Sequence, residues 1–131
     1  LSLGELQDVK LGKAFNSNAQ LYIDMIENKT ASLIQSATES AAMLVDKDSE
    51  AYFKYGKNLG LAFQIIDDIL DITQDEKILG KPALSDFKDG KTTLPYIYLY
   101  DLLNTKEKEK LKSYHLNTLN KEEKHWIKDK M

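Results

Sequence analysis

Three carboxylates interrupt a stretch that is otherwise almost wholly apolar: Gly60-Leu61-Ala62-Phe63-Gln64-Ile65-Ile66-Asp67-Asp68-Ile69-Leu70-Asp71-Ile72. No Lys lies between Lys57 and Lys77, and the chain has no Arg. The apolar residues recur with helical rather than alternating spacing. On a helix that turns about 100° per residue, Gln64, Asp67 and Asp71 share one stripe, with Asp68 beside it. Leu61, Ala62, Ile65, Ile66, Ile69, Leu70 and Ile72 cover the rest of the circumference, and a helix apolar all round is a buried one. An ionised carboxylate buried without a partner is costly, so these acids call for a positive charge from elsewhere. A hard divalent cation such as Mg²⁺ suits carboxylate oxygens and readily shares substrate phosphates. The plainer alternative is a solvated acidic edge on an ordinary amphipathic helix, and the apolar completeness of the run favours a site. A calcium loop is excluded: counted from Asp71, its glycine position holds Glu76 and its twelfth position holds Pro82.

The remaining periodicity is helical almost throughout, and Pro82 and Pro95 are the only prolines. Leu3, Leu6, Val9 and Leu11 predict a short first helix. A longer second helix runs from about Leu21 to Leu44, after a turn or cap at Asn16-Ser17-Asn18. Ser49 is the expected N-cap of the acidic helix, which extends to about Ile72. Residues 74–91, with Gly80, Pro82 and Gly90, predict a long loop, and long loops are usually functional. A helix resumes near Thr92 with Pro95 in its first turn. Thr105 is the expected cap of a short helix at 106–114, and Trp126 and Ile127 anchor a charge-rich tail. Tyr52, Tyr55, Tyr96, Tyr98 and Tyr100 sit at spacings that suit core packing, and His115 and His125 are expected at the surface. The fold class is all-α, in one domain or part of one.

Composition narrows the partners. With 18 basic and 21 acidic residues the net charge is −3, which gives no nucleic-acid or anionic-membrane signal. Without Cys there is neither a disulfide nor a thiolate metal site. No apolar run is long enough to be a membrane span.

Three lysines could meet an anion: Lys29, beside Thr30; Lys81, between Gly80 and Pro82; and Lys91, between Gly90 and Thr92. Each taken singly reads as a surface solubiliser. Two of them adjoin a Gly, where backbone can approach a ligand closely. Gly90-Lys91-Thr92 is not a phosphate-binding P-loop, because Ser85 stands where that motif needs its first glycine.

Gly60-x-x-Phe63-Gln64-x-x-Asp67-Asp68-x-x-Asp71 resembles the second aspartate-rich motif of trans-isoprenyl diphosphate synthases. Gly4-Glu5-Leu6-Gln7 resembles the family's Gly-Glu helix. Tyr22-x-x-Met25-Ile26-x-x-Lys29-Thr30-Ala31-x-Leu33 resembles its Lys-Thr helix. Leu79-Gly80-Lys81-Pro82, Asp86 and Gly90-Lys91-Thr92-Thr93-Leu94-Pro95 resemble the segment after the second motif. The order and spacing match from about residue 3 to residue 100.

The resemblance implies a helical isoprenoid-synthase-like bundle, present in part, and a Mg²⁺-dependent reaction. An allylic diphosphate ionises, isopentenyl diphosphate attacks the carbocation, and a proton is lost. By position, Asp67 is the direct Mg²⁺ ligand, supported by Asp68 and Asp71 through waters or at one remove. Lys29 and Lys81 hold the allylic diphosphate, Thr30 and Gln64 line the same pocket, and Lys91 assists from further out. The resemblance also implies a homodimer, and a cytoplasmic home is expected; product length is not readable in these residues, and a bacterial octaprenyl-type synthase is a guess that no motif here carries. The family's first aspartate-rich motif, its following arginines and its early isopentenyl-diphosphate region are not in this sequence. Residues 1–131 are thus expected to be a C-terminal portion that is inactive alone. A non-catalytic or length-setting subunit of a heteromeric synthase is the alternative.

Overall fold

The computed structural model describes residues 1–74, 76–80 and 82–131, with the backbone alone at 76 and 79. The elements in order are α1 (Ser2–Leu11), α2 (Ala19–Ile26), a π-helical turn (Glu27–Ala31), α3 (Ser32–Leu44) and α4 (Ser49–Thr73). The chain continues through α5 (Glu76–Leu79), α6 (Ser85–Lys88), α7 (Leu94–Leu102), α8 (Thr105–Tyr114) and α9 (Lys121–Lys130). No strand occurs among the described residues.

α3 and α4 form an antiparallel hairpin whose two backbones nearly touch. A Cβ on Gly56 would lie 2.6 Å from the Cα of Gln35, and one on Gly60 would lie 2.5 Å from the Cα of Ala31. Glycine is what lets the helices approach so closely. Nearer the connecting turn, Thr38 donates from its hydroxyl to the Tyr52 carbonyl at 2.8 Å. Two apolar clusters lie beyond this hairpin. One joins the end of α4 to α6–α9 through Ile72, Leu84, Phe87, Tyr96, Leu99, Leu111 and Ile127. Its centre is the stack of Phe87 on Tyr96, with ring centroids 4.2 Å apart. The other holds Tyr22, Met25, Ile26 and Ile97 between α2 and α7.

Several sequence expectations change in detail. The second helix is not uniformly α-helical: a π turn at Glu27–Ala31 carries Lys29 and Thr30, and such turns often mark functional sites. The segment after the acidic helix is not a plain loop, because α5 and α6 form within it. The caps move one residue upstream. Asp48 accepts from the Ala51 amide, and Asn104 forms a capping box with Glu107. An Asp or Asn there reaches the first-turn amides as well as Ser or Thr does, which is why the expected caps lost. Asn18 does cap α2.

His115 is buried, not at the surface. Its Nε2 lies 2.7 Å from the Gly90 carbonyl, and its ring packs edge-on against Phe87. Tyr96 is core, whereas Tyr52, Tyr55 and Tyr98 are exposed. The acidic helix is not buried all round either. Leu59, Phe63 and Ile66 are open, Phe63 at 62% exposure, and with Tyr52 and Tyr55 they make an apolar stripe along α4. Trp126 and Ile127 do anchor the tail.

Candidate active site

α1, α2, α4 and the stretch from α6 to α7 enclose a cavity of about 130 Å³. Its polar lining includes Asp8, Asn16, Tyr22, Lys29, Gln64, Asp67, Asp68, Asp86, Lys91 and Thr93, and Leu11, Met25 and Ile26 supply an apolar wall. The residues expected to act together largely converge here. Lys29, Gln64, Asp67, Asp68 and Lys91 line it, whereas Thr30 and Asp71 stand behind the lining and Lys81 lies outside the described residues.

The three aspartates of α4 do three different things. Asp71 is buried and turned toward α6: it accepts from the Ser85 hydroxyl at 2.9 Å and from the Asp86 amide at 3.3 Å, and its carbonyl accepts from the Leu84 amide at 3.0 Å. Leu84 sits there at φ 61°, a left-handed conformation costly for a leucine. Asp71 thus ties the chain back so that Asp86 and Lys91 reach the cavity. Asp68 is also buried, and it accepts from the Tyr22 hydroxyl and from Gln64 Nε2 at 3.0 Å. Burial pushes its carboxyl up to about 6, against the pull of those two donors, and the nearby Asp86 and Asp67 add to the rise. Burial, reinforced by the Asp68 carboxylate, lifts the Tyr22 phenol well above its usual range.

Asp67, by contrast, is exposed to the cavity, and its carboxylate takes no hydrogen bond or ion pair from any described residue. The structure thus distinguishes the three acids: protein donors serve Asp68 and Asp71, whereas none of the described residues serves Asp67. A carboxylate with this freedom is what a hard cation coordinates. Among the described residues no three His, Cys, Asp or Glu side chains form a closed metal cage. The donor set instead fits Mg²⁺, which usually takes one or two carboxylates and completes its shell with water and substrate phosphates.

The cations meet the acids at the cavity wall. Lys29 Nζ lies 2.5 Å from Asp8 Oδ2 and 3.5 Å from Glu5 Oε1. Partial burial pulls the Lys29 ammonium down, but Asp8 and then Glu5 more than compensate and hold it above its usual range. Lys91 Nζ lies 3.2 Å from Asp86 Oδ1. Thr30 donates to Gln64 Oε1 at 2.8 Å, so a chain of donors runs from Thr30 through Gln64 to Asp68. Thr30 thus acts on the cavity through Gln64, which lines it.

Three participants carry no role in the sequence reading. Asp8 was visible as the partner of Glu5 at helical i, i+3 spacing. Tyr22 and Asp86 lie inside the quoted motifs, yet only the folded chain brings Tyr22 to Asp68. Tyr22→Phe is expected to lower stability by about 1–3 kcal/mol, because a buried carboxylate loses one of its donors. Urea denaturation of the two proteins is the check, and equal stability would refute the pairing.

Comparison with known proteins gives one consistent answer. The family described as Polyprenyl synthetase matches residues 1–131. Geranylgeranyl diphosphate synthase of Sulfolobus acidocaldarius is 39% identical over 112 residues, which are 83% of this chain and 34% of that protein. The crystal structure of octaprenyl pyrophosphate synthase from Helicobacter pylori superposes with a TM-score of 0.90 at 50% identity, covering 98% of this chain and 44% of that one. Heptaprenyl diphosphate synthase from Staphylococcus aureus gives 0.84 at 35% identity, covering 98% of this chain and 41% of that one. The chain therefore spans less than half the length of these relatives.

Proposed function

Because this chain belongs to the polyprenyl synthetase family, we propose that the intact protein is a prenyltransferase that condenses isopentenyl diphosphate with an allylic diphosphate into a longer all-trans polyprenyl diphosphate. The observation that carries this reading is the open Asp67 carboxylate on the same cavity as Lys29 and Lys91.

The chemistry follows from charge. Breaking the allylic C–O bond leaves negative charge on the departing diphosphate and positive charge on the allyl group. Asp67 would hold a Mg²⁺ ion, which when bound would supply Lewis-acid stabilisation of that leaving group. Lys29 and Lys91 donate to the same oxygens, in a recess where such contacts count for more than in water. Lys81, expected to hold the allylic diphosphate together with Lys29, joins this set by family resemblance. Asp68 and Asp71 hold the cavity in shape: one through Tyr22 and Gln64, the other through α6. Leu11, Met25 and Ile26 offer the prenyl group an apolar wall.

We assign the isopentenyl diphosphate site and the second half of the metal clamp to protein outside residues 1–131. The exposed stripe from Tyr52 to Ile66 supports this, since a contiguous apolar surface marks a contact. By family resemblance we place the determinant of product length in that other part as well. Mg²⁺ dependence, a homodimeric state and a cytoplasmic home complete the proposal. A non-catalytic subunit would have no use for an open carboxylate on the same cavity as two ammonium groups.

Incubation with Mg²⁺, an allylic diphosphate and labelled isopentenyl diphosphate is the test. The intact protein is expected to give elongated product, and residues 1–131 alone none above background. Turnover by the isolated segment would overturn the assignment of a divided site, and no turnover by the intact protein would overturn the activity itself.

A further inference from the structure

α1 addresses Lys29 and its neighbour Asn28 through Gly4, Glu5, Gln7 and Asp8, contacts that the reaction as described leaves unused. Gly4 lets α1 lie directly on the backbone of residues 28 and 29. Gln7 accepts from Asn28 Nδ2 at 3.0 Å, and Asp8 and Glu5 both pair with the Lys29 ammonium. The second cavity ammonium, Lys91, is paired as well, with Asp86. Among the described residues, then, each ammonium in the cavity faces a carboxylate, and the charged lining is four acids to two lysines.

We propose that Asp8, seconded by Glu5, is a positioning residue that stands in for diphosphate: it holds Lys29 while the site is empty and yields the ammonium to a phosphate oxygen on binding. This rests on reading the cavity as a diphosphate site. The exchange has two consequences. Lys29 stays oriented into the cavity between turnovers, because its long stem is tied at the tip. Diphosphate also binds less tightly than an unpaired lysine would allow, which favours release of the pyrophosphate product. A paired ammonium attracts an anion weakly, so binding leans on the divalent cation.

The alternative role for Asp8 is to orient Lys29 while diphosphate is bound. The two roles predict opposite signs for Asp8→Asn, which keeps the shape of the side chain and removes its charge. Exchange predicts tighter binding, about tenfold for an ammonium freed at close range from the carboxylate that competes for it. Orientation predicts weaker binding.

Pyrophosphate is the probe, titrated by calorimetry into the intact protein at fixed Mg²⁺. The expected results are about tenfold tighter binding for Asp8→Asn, a smaller tightening for the solvent-exposed Glu5→Gln, and affinity near the parent's for Asp8→Glu. The tightening is expected to vanish in the Lys29→Gln background, because it acts through that ammonium. In turnover, Asp8→Asn is expected to lower the KM for the allylic diphosphate without raising kcat. Unchanged or weaker pyrophosphate binding by Asp8→Asn and Glu5→Gln overturns the proposal, as does a tightening that persists without Lys29. If the parent protein itself fails to bind pyrophosphate with Mg²⁺, the diphosphate-site reading fails instead.

Discussion

Asp67→Ala is expected to reduce turnover of the intact protein by about a thousandfold while leaving its folding stability almost unchanged. The loss follows from the Lewis-acid contribution of a metal that this carboxylate would hold, worth several kcal/mol at roughly 1.4 kcal/mol per tenfold. The unchanged stability follows from the geometry: the carboxylate is exposed, accepts from no described residue, and stands next to the buried Asp68. Removing it relieves like-charge repulsion, so a small gain in stability is in keeping with a functional site. Asp71→Ala is expected to do the reverse in the first instance, losing stability. Asp71 is 2% exposed, and its carboxylate ties down both Ser85 and the Asp86 amide. Parallel measurements of kcat/KM and urea midpoint distinguish the two. If Asp67→Ala unfolded the protein as readily as Asp71→Ala, the division of labour within the motif would be wrong.

That division was not legible in the sequence. Helical geometry gave one continuous element from an expected cap at Ser49 to about Ile72, close to the observed Ser49–Thr73, and set the acids on and beside one stripe. It grouped Asp67 with Asp71, because residues four apart share a face. What separates them is tertiary: α6 folds back onto Asp71, and Tyr22 reaches Asp68 from a helix 46 residues away in sequence. The same holds for Lys29. Its neighbours Thr30 and Ala31 identify it by motif, but the π turn under it and the ion pair with Asp8 are products of packing against α1. Composition failed on the burial of α4 for another reason. An all-apolar helix must be covered, yet the described residues leave the stripe at Leu59, Phe63 and Ile66 open. Caps and turns were legible to within one residue, since they depend on local hydrogen bonds that the sequence spells out.

Gly60→Ala is expected to destabilise the intact protein by about 2–3 kcal/mol, although the same change on an open helix stabilises by about 1 kcal/mol. Steric contact decides the sign. The added Cβ would lie 2.5 Å from the Cα of Ala31 and 2.8 Å from its Cβ, distances at which backbone must move. Neither partner can move cheaply. Gly60 is in the middle of α4, and Ala31 is fully buried at the junction of the π turn and α3. Gly4→Ala meets an equally short contact, 2.2 Å to the Lys29 amide nitrogen, but α1 packs mainly on the π turn and α2 and can swing outward. Its cost in stability is therefore expected to be smaller, and its effect to fall on Lys29, whose ammonium would lose Asp8 and Glu5 as α1 retreats. The Gly60 variant carries the strain toward Gln64, one turn along, and is expected to loosen the Thr30–Gln64 hydrogen bond that feeds the Asp68 network. Urea denaturation and pyrophosphate affinity, measured together, separate the two glycines: stability falls furthest for Gly60→Ala, whereas for Gly4→Ala the larger change is in affinity. A Gly60→Ala protein more stable than its parent would show that the hairpin is not closed at this point, and the positioning of Lys29 and Thr30 between two glycine contacts would fall with it.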